Sequence, residues 1–317
     1  MNDSLKKKSK KSRKKIAYTV FFILLFGNLV LLLFLLILTD SVVTKHKPAI
    51  ALKTLPQIFP SPAAYPMYKK IAVPDISAES AIVVDSDANI IMYYKNDNQV
   101  LPMASSTKIM TAMVALSYYK KNSILTDETF PVDGSIAGLT LGERMTFEQA
   151  LYGLLLPSGN DVAVMLAQNY PGGMSAFIQQ MNATAKSLHM NNTYYEDVDG
   201  LSTNNVTSAF DLSILAGKAM EVPFFKQVVG TKYKKISNIT GNETHSLTNL
   251  NKLLGSQGVN GIKTGFTDEA EGVLVTSKVE RGHTFIIVVL RSQDRFLDTE
   301  KLLQMINNNV TFVSLRP

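Results

Sequence analysis

Three short groups of serine, lysine and glycine residues carry the side chains that acyl transfer through a serine ester requires. They are Ser105-Ser106-Thr107-Lys108, Ser158-Gly159-Asn160 and Lys263-Thr264-Gly265. A serine hydroxyl becomes a good nucleophile when a nearby base takes its proton. A lysine amine serves as that base when burial or neighbouring cations lower its pKa. Ser105 and Lys108 are three positions apart and share one face of a helix, so the first group predicts a nucleophile and its base.

The other two groups supply what a peptide substrate needs beside the nucleophile. Ser158 and Asn160 are predicted on a loop between two helices, where a hydroxyl relays a proton and an amide binds a peptide. Lys263 and Thr264 are predicted on a strand, as an electrostatic clamp and a carboxylate ligand, and Gly265 allows close approach of a substrate backbone. Each group alone is better explained as a helix cap, a turn or a charged edge strand. Together they predict a serine acyl-transfer enzyme.

The composition excludes several other chemistries. The 317-residue chain has no cysteine, which excludes thiolate catalysis, disulfides and cysteine-ligated zinc. Its four histidines lack metal-ligand spacing, and we expect neither a metal nor a cofactor. Residues 1–15 hold eight of the 32 basic and one of the 26 acidic residues, so the remainder has a net charge of −1. Because the basic excess belongs to this tail, we expect no nucleic-acid partner.

An uncharged apolar run over residues 16–38 follows the basic tail. At about 1.5 Å per residue, a helix of this length crosses the hydrocarbon core of a bilayer. The basic residues before it predict a cytoplasmic amino terminus. We therefore predict a cytoplasmic tail over 1–15, a single transmembrane anchor over 16–39, and an extracellular or periplasmic catalytic domain. A cleaved signal peptide is the alternative, although such peptides have apolar cores of about 7–15 residues and a small-residue cleavage site.

A proline-rich linker over 40–77 and a catalytic domain over 78–317 are predicted after the anchor. Six of the twelve prolines lie in the linker, and spaced prolines keep a chain extended. Strands are predicted over 81–84, 90–94, 272–277 and 284–290, and a last helix over 295–306. Helices between them follow Pro102, a Thr146–Gln149 capping box and an Asp161 cap. This order predicts an α+β domain whose single sheet is built from both of its ends.

The surroundings of the three groups, 102–111, 154–161, 249–254 and 261–270, resemble those of a known family. The chain resembles the low-molecular-mass penicillin-binding proteins, the serine-type D-alanyl-D-alanine carboxypeptidases of bacterial cell walls. The resemblance runs from about residue 78 to the end, with every group in order. It implies the fold of penicillin-binding proteins and serine β-lactamases, an antiparallel sheet with a helical subdomain.

The resemblance implies a catalytic role for Ser105, Lys108 and Ser158, and places Lys263 and Gly265 among the residues that bind the substrate. Ser105 would be acylated by a peptidoglycan stem peptide ending in D-Ala-D-Ala, or by a β-lactam antibiotic as an inhibitor. Lys108 would be the base for acylation, and Ser158 would share a proton network with Lys263. Water would hydrolyse the ester after D-alanine leaves.

The resemblance also implies residues that bind the substrate. Asn160 would bind the peptide, and Thr264 in the Lys-Thr-Gly group would touch the terminal carboxylate, whose charge Arg295 would balance. The backbone N–H groups of Ser105 and Phe266 would form the oxyanion hole, where each donor contributes roughly 3–4 kcal/mol. Position 266 is often histidine in the family. Because only its backbone N–H is needed, we expect activity to be kept.

Three other functions are compatible with parts of this pattern. An endopeptidase that cuts peptidoglycan cross-links shares every group. A β-lactamase requires fast deacylation, which one class achieves with a Glu-x-x-Leu-Asn loop, and the nearest segment here, 196–200, lacks the Leu-Asn pair. A non-catalytic wall-binding or sensor protein is disfavoured because every candidate catalytic side chain is present.

Overall fold

The computed structural model describes residues 65–70, 73–128 and 132–313. The predicted tail, the predicted anchor and most of the predicted linker lie outside these residues. Within the described ranges, no helix is long and apolar enough to pass through a membrane.

The described residues form short and long strands interleaved with helices. The strands are β1 (Tyr65–Tyr68), β2 (Ser80–Asp85), β3 (Ile90–Lys95), β4 (Leu101–Pro102), β5 (Ile124–Thr126), β6 (Arg144–Thr146), β7 (Val206–Thr207), β8 (Tyr233–Ser237), β9 (Thr244–Thr248), β10 (Val259–Thr267), β11 (Glu271–Glu280), β12 (His283–Ser292) and β13 (Val310–Val313). The helices are α1 (Lys108–Tyr118), α2 (Phe147–Leu155), α3 (Asn160–Gln168), α4 (Gly173–Ser187), α5 (Ala209–Met220), α6 (Pro223–Val229) and α7 (Arg295–Ile306).

A five-stranded antiparallel sheet joins the two ends of the domain, as the sequence predicts. Its spatial order is β10-β11-β12-β2-β3, with the late strand β12 paired to the early strand β2. Side chains of a strand alternate between the two faces of a sheet. On β12, Ile286 and Val288 join the core shared with helices α1 to α6, whereas Ile287 and Val289 join the core shared with α7. Both faces are therefore covered, and β10 lies at one edge.

Of the two predicted helix caps, one is present in the structure and the other is not. Helix α2 begins at a capping box in which the Thr146 side chain and Gln149 bind each other's backbone N–H groups. Asp161 was expected to cap the next helix, and this expectation is wrong, because α3 already begins at Asn160. The Asp161 carboxylate instead accepts hydrogen bonds from the backbone N–H groups of residues 137–139. It thereby fixes a loop beside the site described below.

The folded part begins before the predicted boundary at residue 78. Strand β1 pairs antiparallel with β13, so that residues 65–68 lie against the last described strand. Further along, the buried Asp298 carboxylate accepts hydrogen bonds from the backbone N–H groups of Ser77 (3.0 Å) and Ala78 (2.8 Å). The predicted linker extends too far, because β1 pairs with a strand more than two hundred positions later. Such distant pairing leaves no local signal in the sequence.

Candidate active site

The predicted nucleophile and base meet on a tight turn that leads into a helix. Ser105 lies in a 3₁₀-helix, Ala104–Thr107, directly before α1, and Lys108 is the first residue of α1. The Lys108 Nζ donates a 3.1 Å hydrogen bond to the Ser105 Oγ. Ala104 has a φ of +44°, in the left-handed region that alanine seldom adopts. Such backbone conformations cluster at functional sites, where the surrounding structure holds them.

Lys108 is fully buried and is held by three acceptors. Besides Ser105, its amine donates to the Asn160 Oδ1 and to the backbone oxygen of Asp199, both at 2.6 Å. Burial lowers the pKa of Lys108 from 10.5 to about 8, although the nearby carboxylates of Asp199, Asp197 and Asp161 oppose this shift. A neutral amine is therefore accessible near physiological pH, which a general base requires.

A second amine and hydroxyl pair lies beside the first. The Lys263 Nζ on β10 donates to the Ser158 Oγ at 2.9 Å and to the Thr264 backbone oxygen at 2.8 Å. Burial, together with the positive charges of Lys108 and Arg295, holds the pKa of Lys263 well below its ordinary value. Ser158 has a φ of +66°, again in the left-handed region. The structure thus brings the first two predicted groups together with the Lys-Thr-Gly strand.

Strand β10 runs directly past the nucleophile. A Cβ added to Gly265 would lie 3.1 Å from the Ser105 backbone nitrogen and 3.1 Å from the Ala104 Cβ. A side chain here would push these neighbours away by a few tenths of an ångström, so glycine favours this close approach. Phe266 follows immediately, so the two predicted oxyanion donors, the N–H groups of Ser105 and Phe266, belong to adjoining segments. The Phe266 side chain is 60% exposed, whereas Thr264 is buried.

Arg295 stands at the start of α7 against the end of the same strand. Its Nη1 donates a 3.3 Å hydrogen bond to the Gly265 backbone oxygen. Burial lowers the pKa of Arg295 below its ordinary value, although the Asp294 carboxylate opposes this shift. The guanidinium remains charged, because arginine stays protonated in proteins. A positive charge is thus placed next to the Lys-Thr-Gly group, as predicted.

Asn160 holds the base and a loop in this structure. Its side chain is buried, its Oδ1 accepts from Lys108, and its Nδ2 donates to the Asp133 backbone oxygen at 2.6 Å. Its backbone N–H donates to the Ser135 backbone oxygen at 2.8 Å. The side chain predicted to bind the peptide therefore joins helix α3 to the lysine of the first group and to residues 133–135.

Sequence reasoning missed the contribution of segment 196–200 to this site. The Asp199 backbone oxygen accepts from Lys108, and the Asp197 carboxylate fixes the turn by accepting from the N–H groups of Asp199 (3.1 Å) and Gly200 (2.7 Å). Gly200 has a φ of +90°, and a Cβ added there would lie 2.0 Å from the Ala104 backbone oxygen. The Asp-Gly pair signals a turn. Nothing local signals that the turn packs against the nucleophile.

These contacts define a serine acyl-transfer site. It has a half-buried hydroxyl, a buried amine with a lowered pKa, a second hydroxyl and amine pair, and an edge strand with a cation at its end. The nucleophile touches its base, and the base is in turn held by Asn160. This is the geometry by which a nucleophilic site is recognised in any fold.

Comparison with known proteins gives the family. The family described as D-alanyl-D-alanine carboxypeptidase matches residues 67–294. A D-alanyl-D-alanine endopeptidase of Pseudomonas aeruginosa is 36% identical over 222 residues, which are 68% of this chain and 70% of that protein. The D-alanyl-D-alanine carboxypeptidase DacF of Bacillus subtilis is 32% identical over 222 residues, 67% of this chain and 57% of the relative.

A solved structure confirms the expected fold. The crystal structure of the Streptomyces K15 DD-transpeptidase matches with a TM-score of 0.70 and 31% identity, over 75% of this chain and 99% of that one. The chain belongs to the D-alanyl-D-alanine carboxypeptidase family and has a transpeptidase fold of mixed helices and sheet. It is therefore a member of a family of serine hydrolases.

Proposed function

We propose that this chain is a serine D-alanyl-D-alanine carboxypeptidase that removes the terminal D-alanine of peptidoglycan stem peptides and is acylated by β-lactams. One observation carries the proposal. The Lys108 amine, with a pKa lowered to about 8, contacts the Ser105 hydroxyl at 3.1 Å in the family's Ser-x-x-Lys group. A nucleophile and a base poised near neutral pH are what acylation requires.

Acylation begins at Ser105. Neutral Lys108 takes the proton of the Ser105 hydroxyl as the oxygen attacks the carbonyl of the penultimate D-alanine. The negative charge on the carbonyl oxygen is stabilised by the backbone N–H groups of Ser105 and Phe266. The Ser158 hydroxyl delivers its proton to the departing amine and regains one from the Lys263 ammonium, which is hydrogen-bonded to it. Terminal D-alanine leaves, and water hydrolyses the ester to restore Ser105.

Recognition of the substrate is assigned to strand β10 and its neighbours. The strand lies at the edge of the sheet, where an extended peptide adds by backbone hydrogen bonds. Thr264 and Arg295 receive the free carboxylate, Lys263 adds positive charge, and Gly265 permits the close approach. Asn160 holds Lys108 through its Oδ1 and Asp133 through one N–H of its Nδ2, and the other N–H of the amide donates to the peptide.

The endopeptidase is the second candidate function. The Pseudomonas relative, 36% identical, carries that name. Cutting a cross-link uses the same acylation step, with a longer leaving group in place of D-alanine. Purified enzyme incubated with pentapeptide and with a cross-linked muropeptide dimer separates the two. Release of D-alanine without loss of the dimer supports the carboxypeptidase, and the reverse supports the endopeptidase.

The test of the acyl-enzyme uses two neighbouring serines. Ser105→Ala is expected to abolish covalent labelling by benzylpenicillin and release of D-alanine, with the fold intact by circular dichroism. Ser106→Ala is the matched control, because the Ser106 hydroxyl turns away and donates to the Met103 backbone oxygen at 2.6 Å. Labelling that persists in Ser105→Ala, or that maps to Ser158 by mass spectrometry, contradicts the assignment. Fast hydrolysis of the bound penicillin would instead favour a β-lactamase.

We also infer that residues 16–39 anchor the protein in the cell membrane, with residues 1–15 in the cytoplasm and the catalytic domain outside. The inference is supported by the basic tail before a charge-free apolar run of 23 residues, 16–38. Extraction of the full chain should require detergent, and protease added to intact spheroplasts should digest the catalytic domain. Amino-terminal sequencing that begins near Val42 would support a cleaved signal peptide instead.

A further inference from the structure

The guanidinium of Arg295 lies close to two aromatic rings. Its central carbon is 5.8 Å from the ring centroid of Phe266 and 5.1 Å from that of Phe296. Phe266 lies on β10 directly after Gly265, where the strand passes the nucleophile. Phe296 is the residue after Arg295 on α7. Both distances are within the range of about 6 Å over which a cation is attracted to an aromatic face.

Few polar contacts hold this guanidinium. Within the described residues, no carboxylate lies within 4.0 Å of Arg295, and its buried Nε has no hydrogen-bond partner. The hydrogen bond to the Gly265 backbone oxygen, which is the one its side chain makes among the residues that the structure describes, is long, at 3.3 Å. Arg295 is half-buried, and a cation that is withdrawn from water normally finds a paired charge. Here the described residues offer the guanidinium two nearby rings and no carboxylate, so its positive charge is free to pair with an external anion.

The predicted role of the Phe266 backbone does not explain why its side chain is exposed. The oxyanion hole uses only the N–H group of residue 266, which any residue other than proline supplies. Yet the residue is 60% exposed beside the nucleophile, and apolar surface that stays in contact with water contributes no hydrophobic free energy to folding. Contact with the Arg295 guanidinium gives this exposed ring a function.

We propose that Phe266 and Phe296 together orient the Arg295 guanidinium towards the substrate carboxylate, so that the ring of Phe266 is a specificity-determining positioning residue. The inference rests on the proposed carboxypeptidase function. Phe266 is the more informative of the two rings, because Phe296 also lies 5.3 Å from the Lys252 Nζ. The ring acts through Arg295 and does not itself touch the reacting atoms.

The proposal predicts a change in substrate preference. An exposed cation–aromatic contact alters an equilibrium by about two- to fivefold. Phe266→Leu keeps the backbone N–H and the apolar volume but removes the aromatic face. It should therefore lower the preference for a peptide with a free terminal carboxylate over a neutral ester of the same acyl part by about two- to fivefold. The loss should appear mainly in KM for the carboxylate substrate, because the carboxylate is bound before and during acylation.

Conservative and distant variants serve as controls. Phe266→Tyr should restore the preference, since tyrosine has an equivalent aromatic face. Arg295→Lys should lose it although the charge is kept, because an ammonium lacks the planar surface that stacks on an aromatic ring. Tyr94→Leu removes another exposed aromatic side chain, on β3 at the far edge of the sheet, and should leave the preference unchanged.

The ratio of kcat/KM values for the two substrates is measured with the full chain in detergent, alongside acylation by benzylpenicillin. Equal ratios for wild type, Phe266→Leu and Phe266→Tyr would overturn the proposal. So would a tyrosine variant that behaves like the leucine variant. A wild-type chain that reacts with neither substrate nor with benzylpenicillin would contradict the proposed function, and the inference with it. If the wild type reacts normally and the Phe266 variants have the wild-type ratio, the inference is contradicted and the proposed function is not.

Discussion

The Lys108 amine donates a 2.6 Å hydrogen bond to the side-chain oxygen of Asn160, which lies 52 positions further along the chain. This bond joins the first group of the site to the second within a buried environment. It also fixes the amine beside Ser105, because a buried lysine with a long side chain would otherwise occupy several rotamers. The chemistry of the nucleophile therefore depends on a residue that does not touch it.

The first prediction is the pH dependence of acylation. Burial lowers the pKa of Lys108 to about 8, and the neutral amine is the active form of the base. The kcat/KM for a D-Ala-D-Ala peptide should therefore rise with pH and level off above a midpoint near 8. At pH 7 about a tenth of the molecules carry the neutral amine. The profile is measured from pH 5.5 to 9.5, and a midpoint near 10 would contradict the assignment of Lys108 as the base.

Asn160→Asp is predicted to move this profile to higher pH. A carboxylate in place of the amide would lie within hydrogen-bonding distance of the amine, and an opposite charge at that range shifts a pKa by about 1–3 units. The shift is upwards for a lysine, because its charged form is favoured. Asn242→Asp, in an exposed turn, adds the same charge as a control and should leave the midpoint near 8. Equal midpoints in the two variants would exclude coupling between residues 160 and 108.

Gly200→Ala is predicted to disable the nucleophile, whereas Gly282→Ala is not. Both glycines have a left-handed φ, +90° and +85°, so backbone strain alone should cost about 1–2 kcal/mol of unfolding free energy with alanine at either position, and the close contact at Gly200 should add to it. Only at Gly200 does the new Cβ meet another atom, the Ala104 backbone oxygen at 2.0 Å, and Gly282 has open space. Acylation by benzylpenicillin should fall at least about tenfold in Gly200→Ala alone, since a displacement of about 1 Å at a site costs that much or more.

Urea denaturation separates the two effects of the glycine variants. If both lose similar stability and both still react at the wild-type rate, segment 196–200 has no part in holding the nucleophile turn. A Gly282→Ala variant that also loses acylation would show that the assay reports stability and not the local contact.

The last prediction concerns acid stability. Burial raises the pKa of Asp298, but hydrogen bonds from Ser292 and from the hydroxyl and backbone N–H of Ser77 outweigh it and hold the pKa below its ordinary value. A carboxylate with a lowered folded-state pKa stabilises the fold above its unfolded pKa, near 4. That contribution is lost as the pH falls through the lower folded value. Stability should therefore decline below about pH 4.

Asp298→Asn is predicted to remove this dependence and to cost about 2–3 kcal/mol at pH 7, because an amide nitrogen cannot accept the hydrogen bonds that the carboxylate accepts. Urea denaturation at pH 7 and pH 3 measures both quantities, and the cost should be smaller at pH 3. Glu221→Gln removes one member of an exposed ion pair with Lys218 and should change stability by less than about 1 kcal/mol. An equal cost of Asp298→Asn at both pH values would contradict the charge effect.

The sequence by itself determined the features that rest on local spacing. Ser105 and Lys108 meet because a helical turn separates them, and α2 begins where Thr146 and Gln149 form a capping box. The strands at both ends of the domain follow from short runs of apolar and β-branched residues. The resemblance to the family rests on the three groups, whose order and neighbouring residues can be read from the sequence alone.

Only the tertiary structure decided the contacts between segments far apart in the chain. Asn160 binds Lys108, Gly200 packs on Ala104, and the first described strand pairs with the last. Arg295 lies beside the ring of Phe266 for the same reason, since the end of β10 meets the start of α7. Such contacts depend on how the sheet and the helices pack. The pattern of apolar residues in a sequence predicts which side chains are buried, but it does not predict which residues they contact.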